Sequence, residues 1–248
     1  MFRKKIAVTI AAALMTLSAS SAFAAFADLE LIRVYYDRNG AESATDLGKV
    51  TDFTAAGAVN NIAGSFDGLT TGFAVYFALD RNTSANDLWA TGAVGTPSTI
   101  NGGGLGLNGI KNGTTPMYSE YNTQGGTEYT GLASGSSSYK TKLSSTQGTL
   151  AAAISTASRL NTEVSIASLI GASSGSVTQA LYFWDKATSS LAADKIGVLA
   201  ATITTNFDGS TIITSSTPAA PTPIPPAFLL MGSGLLGMVG LRRKSKTA

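Results

Sequence analysis

The chain has 248 residues, of which 17 are lysine or arginine and 15 are aspartate or glutamate, and it contains neither cysteine nor histidine. These absences exclude histidine-based triads, histidine-bearing zinc sites, thiolate nucleophiles and stabilising disulfides. All 15 acidic residues lie between Asp28 and Asp208, whereas seven basic residues lie in the two ends, so the middle is acidic and a nucleic-acid partner is disfavoured.

The N-terminus has the three parts of a secretory signal peptide, which we predict over residues 1–24. A basic cluster at residues 3–5 precedes an uncharged, mainly apolar run and then small residues. Ala22 and Ala24 frame the predicted cleavage triplet, and a cut after Ala27 is the alternative. The apolar run is too short for a permanent anchor, which needs about 20 residues.

The first part of the mature chain shows the period-two alternation of β-strands. Residues 29–37 are a predicted strand, and Asn39-Gly40 supplies a turn that accepts positive φ. Residues 69–79 alternate but are apolar on both faces, so this strand is predicted at the centre of a sheet. Residues 87–91 are a shorter predicted strand.

Residues 95–148 are rich in glycine and serine and are predicted to form long loops with short strands at residues 128–132 and 139–143. Gly104–Gly109 matches the G-x-G-x-x-G pattern of dinucleotide-binding loops. That chemistry requires a strand before the motif and a helix after it. Asn108, Gly109, Asn112 and Gly113 argue against a helix, so the motif is interpreted as a flexible loop.

The remaining elements complete an all-β prediction. Residues 150–160 are the one predicted helix, because alanine is frequent and apolar positions share a face. Residues 177–184 form a strand, and residues 195–207 and 210–215 form a hairpin around Asp208-Gly209. We predict an antiparallel β-sandwich or jelly-roll ectodomain over residues 28–216, as one domain or as two small ones.

Two segments that begin with aspartate resemble fragments of calcium-binding loops, which supply six to eight oxygen ligands. These are Asp37-Arg38-Asn39-Gly40 and Asp80-Arg81-Asn82. Neither completes the 12-residue pattern with its closing glutamate, so both are interpreted as turns. No metal and no cofactor is predicted.

Carboxylates and aromatic rings are the other candidates for chemistry. Asp52, Asp67, Glu120 and Glu128 could pair as in glycosidases, but spacing alone pairs none of them, and no catalytic residue is predicted. Trp89 and Trp184 lie in predicted strands and are interpreted as core residues. The aromatic residues predicted to make surface contacts, such as stacking on sugar rings, are the loop tyrosines Tyr118, Tyr121, Tyr129 and Tyr139.

The C-terminus also has three parts. Residues 217–226 hold five prolines and form an extended spacer. Residues 227–241 are uncharged and apolar, and as a helix they would span about 22 Å, against about 30 Å for a membrane core. Residues 242–248 are basic and are expected on the cytoplasmic side. This tail is either a weak permanent anchor facing the periplasm or a sorting tail that is removed.

The tail resembles the PEP-CTERM sorting signals that exosortases process in Gram-negative bacteria. The usual Pro-Glu-Pro is absent, and a variant motif stands in its place. The resemblance covers about a tenth of the chain and implies signal peptidase and an exosortase-type enzyme as partners, transient residence in the inner membrane, and delivery to the cell surface or an exopolysaccharide matrix. The matching residues are Pro223, Ile224, Pro225, Pro226 and Ala227, then residues 229–237 and 240–241, and the basic Arg242, Arg243 and Lys244.

These observations favour a non-enzymatic structural or adhesive protein of the cell surface or extracellular matrix. Two alternatives remain from other classes. One is a lectin-like carbohydrate-binding module that uses loop aromatics, and the other is a glycan hydrolase or lyase that uses paired carboxylates.

Overall fold

A computed structural model describes residues 26–82, 86–95, 105–143, 163–185 and 196–218. The predicted signal peptide, the predicted helix at residues 150–160 and the sorting tail lie outside these ranges. Within them, no helix is both long enough and apolar enough to cross a membrane.

The described ranges are mostly β-structure. The strands are β1 (Glu30–Tyr36), β2 (Ala41–Lys49), β3 (Val59–Ile62), β4 (Phe73–Leu79), β5 (Leu88–Gly92), β6 (Glu128–Leu132), β7 (Val164–Ser165), β8 (Ser176–Trp184), β9 (Val198–Asn206) and β10 (Thr211–Ser215). The helices are α1 (Val50–Thr54), α2 (Leu105–Tyr121) and α3 (Tyr139–Lys142), and a 3-10 turn spans Asn122–Gln124.

The strands form one antiparallel sheet in the order β3-β10-β9-β8-β5-β4-β1-β2-β6, and β7 pairs with β4. The prediction of a mainly β, antiparallel fold is therefore confirmed. The predicted strands near residues 29–37, 69–79, 87–91, 128–132 and 177–184 and the C-terminal hairpin are all present. The apolar strand β4 lies near the middle of the sheet, as its two apolar faces indicate.

The sheet curls until distant strands meet on one side, here called the concave side. Tyr35 of β1 donates a hydrogen bond to the carbonyl of Gly209 in the β9–β10 turn at 3.0 Å, although four strands separate β1 from β10 in the sheet. The buried guanidinium of Arg33 donates to Thr211 Oγ1 at 3.2 Å and to the carbonyl of Ala63 at 3.2 Å. These bonds tie β1 to the β9–β10 hairpin and to the residue that follows β3, and they hold the curl.

Two apolar clusters lie on opposite sides of the sheet, because successive side chains of a strand point to opposite faces. The concave cluster includes Leu31, Tyr76, Trp89, Ile203 and Phe53 of α1. The convex cluster packs the other face of β1, β2, β4, β5 and the end of β8 against α2 and α3. Its members include Ile32, Val34, Val75, Phe77, Ile110, Met117, Tyr121 and Tyr139.

The loop prediction for residues 105–121 is wrong, because this segment forms α2. Glycine, asparagine and Pro116 disfavour a helix locally. Tertiary packing overrides these propensities: the buried residues recur at helical spacing and cover the convex face of the sheet. They are Ile110, Thr114, Met117, Tyr118 and Tyr121.

The predicted strand at residues 139–143 is also wrong, because Tyr139–Lys142 is the short helix α3. Its N-cap is Ser138, whose side chain accepts a hydrogen bond from the Thr141 amide at 3.2 Å. A serine preceding a short polar run is a helix-start signal that the tyrosine and threonine content of the segment obscured.

Gly113 lets α2 and α3 approach each other closely. A Cβ at this position would lie 2.7 Å from Leu143 Cδ2 and 2.7 Å from the Lys142 carbonyl oxygen. Any larger side chain would push the two helices apart, so the glycine that disfavoured a helix in the sequence is required by the packing of that helix.

Candidate binding surface

Four consecutive strands of the sheet, β3, β10, β9 and β8, contain no charged residue. By contrast, β1 contains Glu30 and Arg33, and β2 contains Glu42, Asp46 and Lys49. The next two strands, β5 and β4, also lack charge, but they pack in the convex cluster. We therefore call β3, β10, β9 and β8 the neutral half of the sheet.

The convex face of this neutral half is polar and solvent-accessible, except at the end of β8, where Ala180, Tyr182 and Trp184 are buried in the convex cluster. On the concave side, alternating residues such as Ala201, Ile203 and Ile213 are buried. The residues between them point outward and are exposed or half-buried, as the period of two requires. Their side chains form what we call the hydroxyl face: Ser176, Thr178, Thr202, Thr204, Asn206, Thr214 and Asn61.

Strand pairing sets the geometry of the hydroxyl face. Thr178 and Thr204 lie opposite each other, and their Oγ1 atoms are 3.0 Å apart. Thr202 is opposite Thr214 in the neighbouring strand pair. Neighbouring strands lie about 4.8 Å apart, and residues two apart in a strand lie about 6.7 Å apart, so the hydroxyl groups form a regular array. Val59 and Ile212 add apolar surface to the same face.

This array can offer both hydrogen bonds and apolar contacts to a ligand. Each threonine hydroxyl both donates and accepts hydrogen bonds, and its methyl group offers an apolar contact. Because no charge stands on the four strands, the face neither attracts nor repels ions strongly. The arrangement suits an uncharged, hydroxyl-rich polymer. It does not suit a metal ion, and no cluster of three or more metal-binding side chains occurs among the described residues.

A second polar cluster lies beneath the helices and is closed to solvent. The buried carboxylate of Glu42 accepts a hydrogen bond from Tyr121 Oη at 2.6 Å and from the Tyr139 amide at 2.9 Å. Glu163, also buried, accepts one from Tyr139 Oη at 2.8 Å and a short one from Tyr36 Oη. Tyr139 thus contacts both carboxylates and joins α3 to the sheet.

Burial changes the acidity of this tyrosine–glutamate cluster. It raises the pKa of Glu42 to about 7, although the hydrogen bonds from Tyr121, Tyr139 and Lys140 oppose the rise. Burial, reinforced by Glu42, raises the pKa of Tyr121, and burial, reinforced by Glu163, raises that of Tyr139. The hydroxyls therefore stay protonated and act as hydrogen-bond donors within the core.

The tyrosines predicted to make surface contacts are buried, so that expectation is wrong. Tyr118, Tyr121, Tyr129 and Tyr139 are at most 7% exposed. Each packs against the convex side of the sheet because the polar segments around them form α2, β6 and α3 rather than loops. The interpretation of Trp89 and Trp184 as core residues is confirmed.

The four carboxylates weighed as a catalytic pair are all exposed and belong to different elements. Asp52 lies in α1, Glu120 in α2 and Glu128 in β6. Asp67 accepts short hydrogen bonds from Ser43 and Ser65 and is engaged in a turn. The structure thus brings together Glu42 and Glu163, which the sequence did not single out, and encloses them in the core.

The turn interpretation of the segments that begin at Asp37 and Asp80 is confirmed. Asp37 Oδ1 accepts from the Asn39 amide at 3.0 Å, and Asp80 Oδ1 accepts from the Asn82 amide at 2.9 Å. The loop interpretation of the glycine motif is wrong for residues 105–109, which begin α2, whereas Gly104 lies outside the described residues.

An apolar groove of about 270 Å³ opens at one end of the concave side. The rings of Trp89 and Phe183 form one wall, with centroids 4.7 Å apart, and Val198 is 65% exposed at its rim. Thr54 and Thr217 add the polar part of the lining.

The sequence contained the signal for the hydroxyl face. Thr202-Ile203-Thr204 alternates hydroxyl and apolar residues within the predicted strand at residues 195–207, and Ser176-Val177-Thr178 does so at the start of the predicted strand at residues 177–184. Alternation alone identifies an exposed face, but only the strand order brings these segments side by side.

Comparisons of the chain with protein families, curated proteins and solved structures found no match.

Proposed function

We propose that the chain is an exported, non-enzymatic protein of the cell surface or extracellular matrix, with a structural or adhesive role. In this proposal the signal peptide is removed after Ala24, or after Ala27, and the PEP-CTERM-like tail directs the chain through the inner membrane. An exosortase-type enzyme then removes the tail near Pro223–Ala227, and Arg242, Arg243 and Lys244 hold it on the cytoplasmic side until that cleavage.

The observation that carries this proposal is the order of segments at the C-terminus. A proline-rich spacer, an apolar segment too short for a stable span and a basic cluster follow one another at the end of a chain with an N-terminal export signal. The hydroxyl face adds support, because an uncharged array of exposed hydroxyls suits repeated contact with a hydrated polymer.

Of the alternatives, the hydroxyl face favours a carbohydrate-binding module. Its threonines offer paired donors and acceptors to sugar hydroxyls, without the loop tyrosines that the sequence suggested. Retention of the protein on a neutral polysaccharide, and its loss when Thr178 and Thr204 lose their hydroxyls, tests this function. A hydrolase gains no such support from Glu42 and Glu163, because both are enclosed by α3 and the sheet.

We further propose that the curled sheet packs as a β-sandwich or jelly roll, with the β9–β10 hairpin facing β1 across the concave core. The hydrogen bonds from Tyr35 and Arg33 to Gly209 and Thr211 support this architecture. An experimental structure in which these two regions of the sheet do not face each other would refute it.

Intact-mass spectrometry of the native protein, isolated separately from inner membrane, outer membrane and medium, tests the sorting proposal. We expect a mass lacking both ends, found outside the inner membrane. A mass that retains residues 227–248, found in the inner membrane, would instead identify a permanently anchored protein facing the periplasm.

A further inference from the structure

Two overlapping sites near the N-terminus have the small residues that signal peptidase recognises just before the bond it cuts. Ala22 and Ala24 belong to the first site, and Ala25 and Ala27 belong to the second. Cleavage at the first site leaves Phe26 on the mature chain, whereas cleavage at the second removes it. The two products therefore differ in one large side chain, and the structure shows what that side chain does.

Phe26 is a buried member of the convex cluster. Its side chain is 2% exposed, and its ring meets the ring of Tyr121 edge-on, with centroids 4.9 Å apart. Tyr121 is the last residue of α2, and its hydroxyl donates the hydrogen bond to the buried carboxylate of Glu42. Phe26 therefore packs against the tyrosine that joins α2 to the sheet.

The backbone of Phe26 is held as firmly as its ring. Its amide donates to Asn122 Oδ1 at 3.1 Å, and its carbonyl accepts from Asn122 Nδ2 at 3.1 Å. One side-chain amide thus satisfies both backbone groups of a single residue, as a neighbouring strand would. Asn122 follows α2 directly, so the two bonds attach residue 26 to the end of the helix.

The residues that follow Phe26 are also bonded to the domain. Asp28 forms an ion pair with Arg81, and the Leu29 amide donates to the Leu79 carbonyl at 2.7 Å. The contacts of Phe26 therefore continue into β1 without a gap. The packed part of the chain starts at or before residue 26, which lies upstream of the second cleavage position.

A mature chain that began at Asp28 would lose the contacts of Phe26. Removal of a buried phenylalanine ring leaves a cavity and is among the more costly core truncations. Asn122 would also lose the two backbone groups that its amide pairs with. Such a product unfolds more often and is then open to proteases, so it should not accumulate even if some chains are cut there.

We infer that the mature chain begins at Ala25 and that Phe26 fixes its N-terminus against the end of α2. The step is hydrolysis of the Ala24–Ala25 peptide bond. The oxygen of water joins the carbonyl carbon of Ala24, the C–N bond breaks, and the Ala25 nitrogen takes up the proton, so water is the only co-reactant. The inference rests on the proposed export of the chain and selects one of its two cleavage positions.

N-terminal sequencing of the native chain, isolated after export, tests the inference directly. We expect Ala25 as the first residue. A chain that begins at Asp28 would overturn the inference but leave the proposed export intact. A chain that retains residues 1–24 would overturn both, so the two failures are distinguishable.

Phe26→Ala and Phe23→Ala form a matched pair, because each changes the middle residue of one of the two cleavage sites. We expect Phe23→Ala to yield a mature chain with the mass and thermal midpoint of the native protein. Phe26→Ala should lower both the mass and the midpoint, with the equilibrium constant of unfolding raised about tenfold or more.

Phe26→Leu keeps an apolar side chain and provides the same mass comparison if Phe26→Ala does not accumulate. Mature chains of native mass from both the Phe23 and the Phe26 variants would show that the second site is cut, and would overturn the inference. An altered mass from Phe26→Ala with an unchanged thermal midpoint would overturn the anchoring role of Phe26.

Discussion

The two halves of the sheet share one concave core, but their convex sides differ. Over β1, β2, β4 and β5 the convex side chains are mostly apolar, as with Val34 and Phe77, and α2 and α3 cover them. Over β3, β9, β10 and the first residues of β8 they are mainly threonine, serine and asparagine and remain accessible, whereas the end of β8 joins the convex cluster through Tyr182 and Trp184. Side chains alternate between the two faces in both halves. Where the convex residues are apolar, the sheet is covered by helices and has a core on both sides. Where they are polar, the convex side is a polar surface.

The polar groups of the two halves are used differently. In the helix-covered half, Glu42 and Glu163 lie in the core and are satisfied by tyrosine hydroxyls. In the neutral half, the hydroxyls of the convex face lie where solvent or a ligand reaches them. We infer that buried polar groups stabilise the first half and that exposed ones serve binding in the second.

The sharpest contrast in stability should come from Tyr139 and Thr204. Tyr139→Ala removes a buried ring that packs on Tyr36 and Phe77 and bonds Glu163, so we expect a loss of about 3–5 kcal/mol in the free energy of unfolding. Thr204→Ala on the hydroxyl face should cost no more than about 0.5 kcal/mol. Denaturant unfolding measures both. Equal losses would remove the distinction between the two halves.

Substitution of Gly113 tests how closely α2 and α3 pack against each other. Gly113→Ala forces a Cβ against Leu143 and the Lys142 carbonyl, so we expect destabilisation of about 1–3 kcal/mol despite the better helix propensity of alanine. Gly125→Ala is a useful comparison, since its φ of 70° is strained for alanine but its Cβ would meet no neighbouring atom. If thermal unfolding shows Gly113→Ala to be stabilised, α2 and α3 do not pack as described.

The buried carboxylates of the helix-covered half should make the free energy of unfolding depend on pH. Burial raises the pKa of Glu42 to about 7 from an ordinary value of 4.5, so the folded chain binds more protons than the unfolded chain between these values. The free energy of unfolding should then fall as pH rises from about 4.5 to 7, by roughly 1–3 kcal/mol. Burial also raises the pKa of Asp46 to about 7, which acts in the same direction.

Glu42→Gln isolates this contribution, because an amide keeps an acceptor for Tyr121 without the charge. We expect a flatter dependence of stability on pH, measured by denaturant unfolding at pH 5 and pH 8. Asp208→Asn is the control, since exposed Asp208 has a lowered pKa and titrates below this window. A slope that is unchanged in Glu42→Gln would contradict the assignment.

The smallest effect should come from the hydroxyl face itself. Replacing Thr178 and Thr204 together by valine keeps the branched shape and the strand propensity, so the free energy of unfolding should change by less than about 0.5 kcal/mol. Thermal unfolding of the double variant measures this. A large loss would mean that the hydroxyl pair stabilises the fold rather than serving as a surface.

Local sequence patterns predicted the strands of the sheet but not the helices that cover its convex side. Residues 73–79 and 198–206 alternate clearly, and the Asp208-Gly209 turn follows from its own chemistry. The helix α2 was missed because Pro116 and Gly113 oppose it locally and only packing on the sheet compensates. For the same reason the buried tyrosines were expected at the surface. The hydroxyl face depends on the order of strands that lie far apart in the sequence, which no local pattern contains.

The most direct test of a functional hydroxyl face is cosedimentation of the natively isolated chain with insoluble neutral glucan. The Thr178→Val/Thr204→Val double variant should bind about tenfold more weakly, since two hydrogen bonds are lost while shape and charge are kept. Thr70→Val, an exposed threonine outside the hydroxyl face, should bind as the native chain does. Native binding that is absent, or that the double variant retains in full, would contradict the assignment of this face to polysaccharide contact.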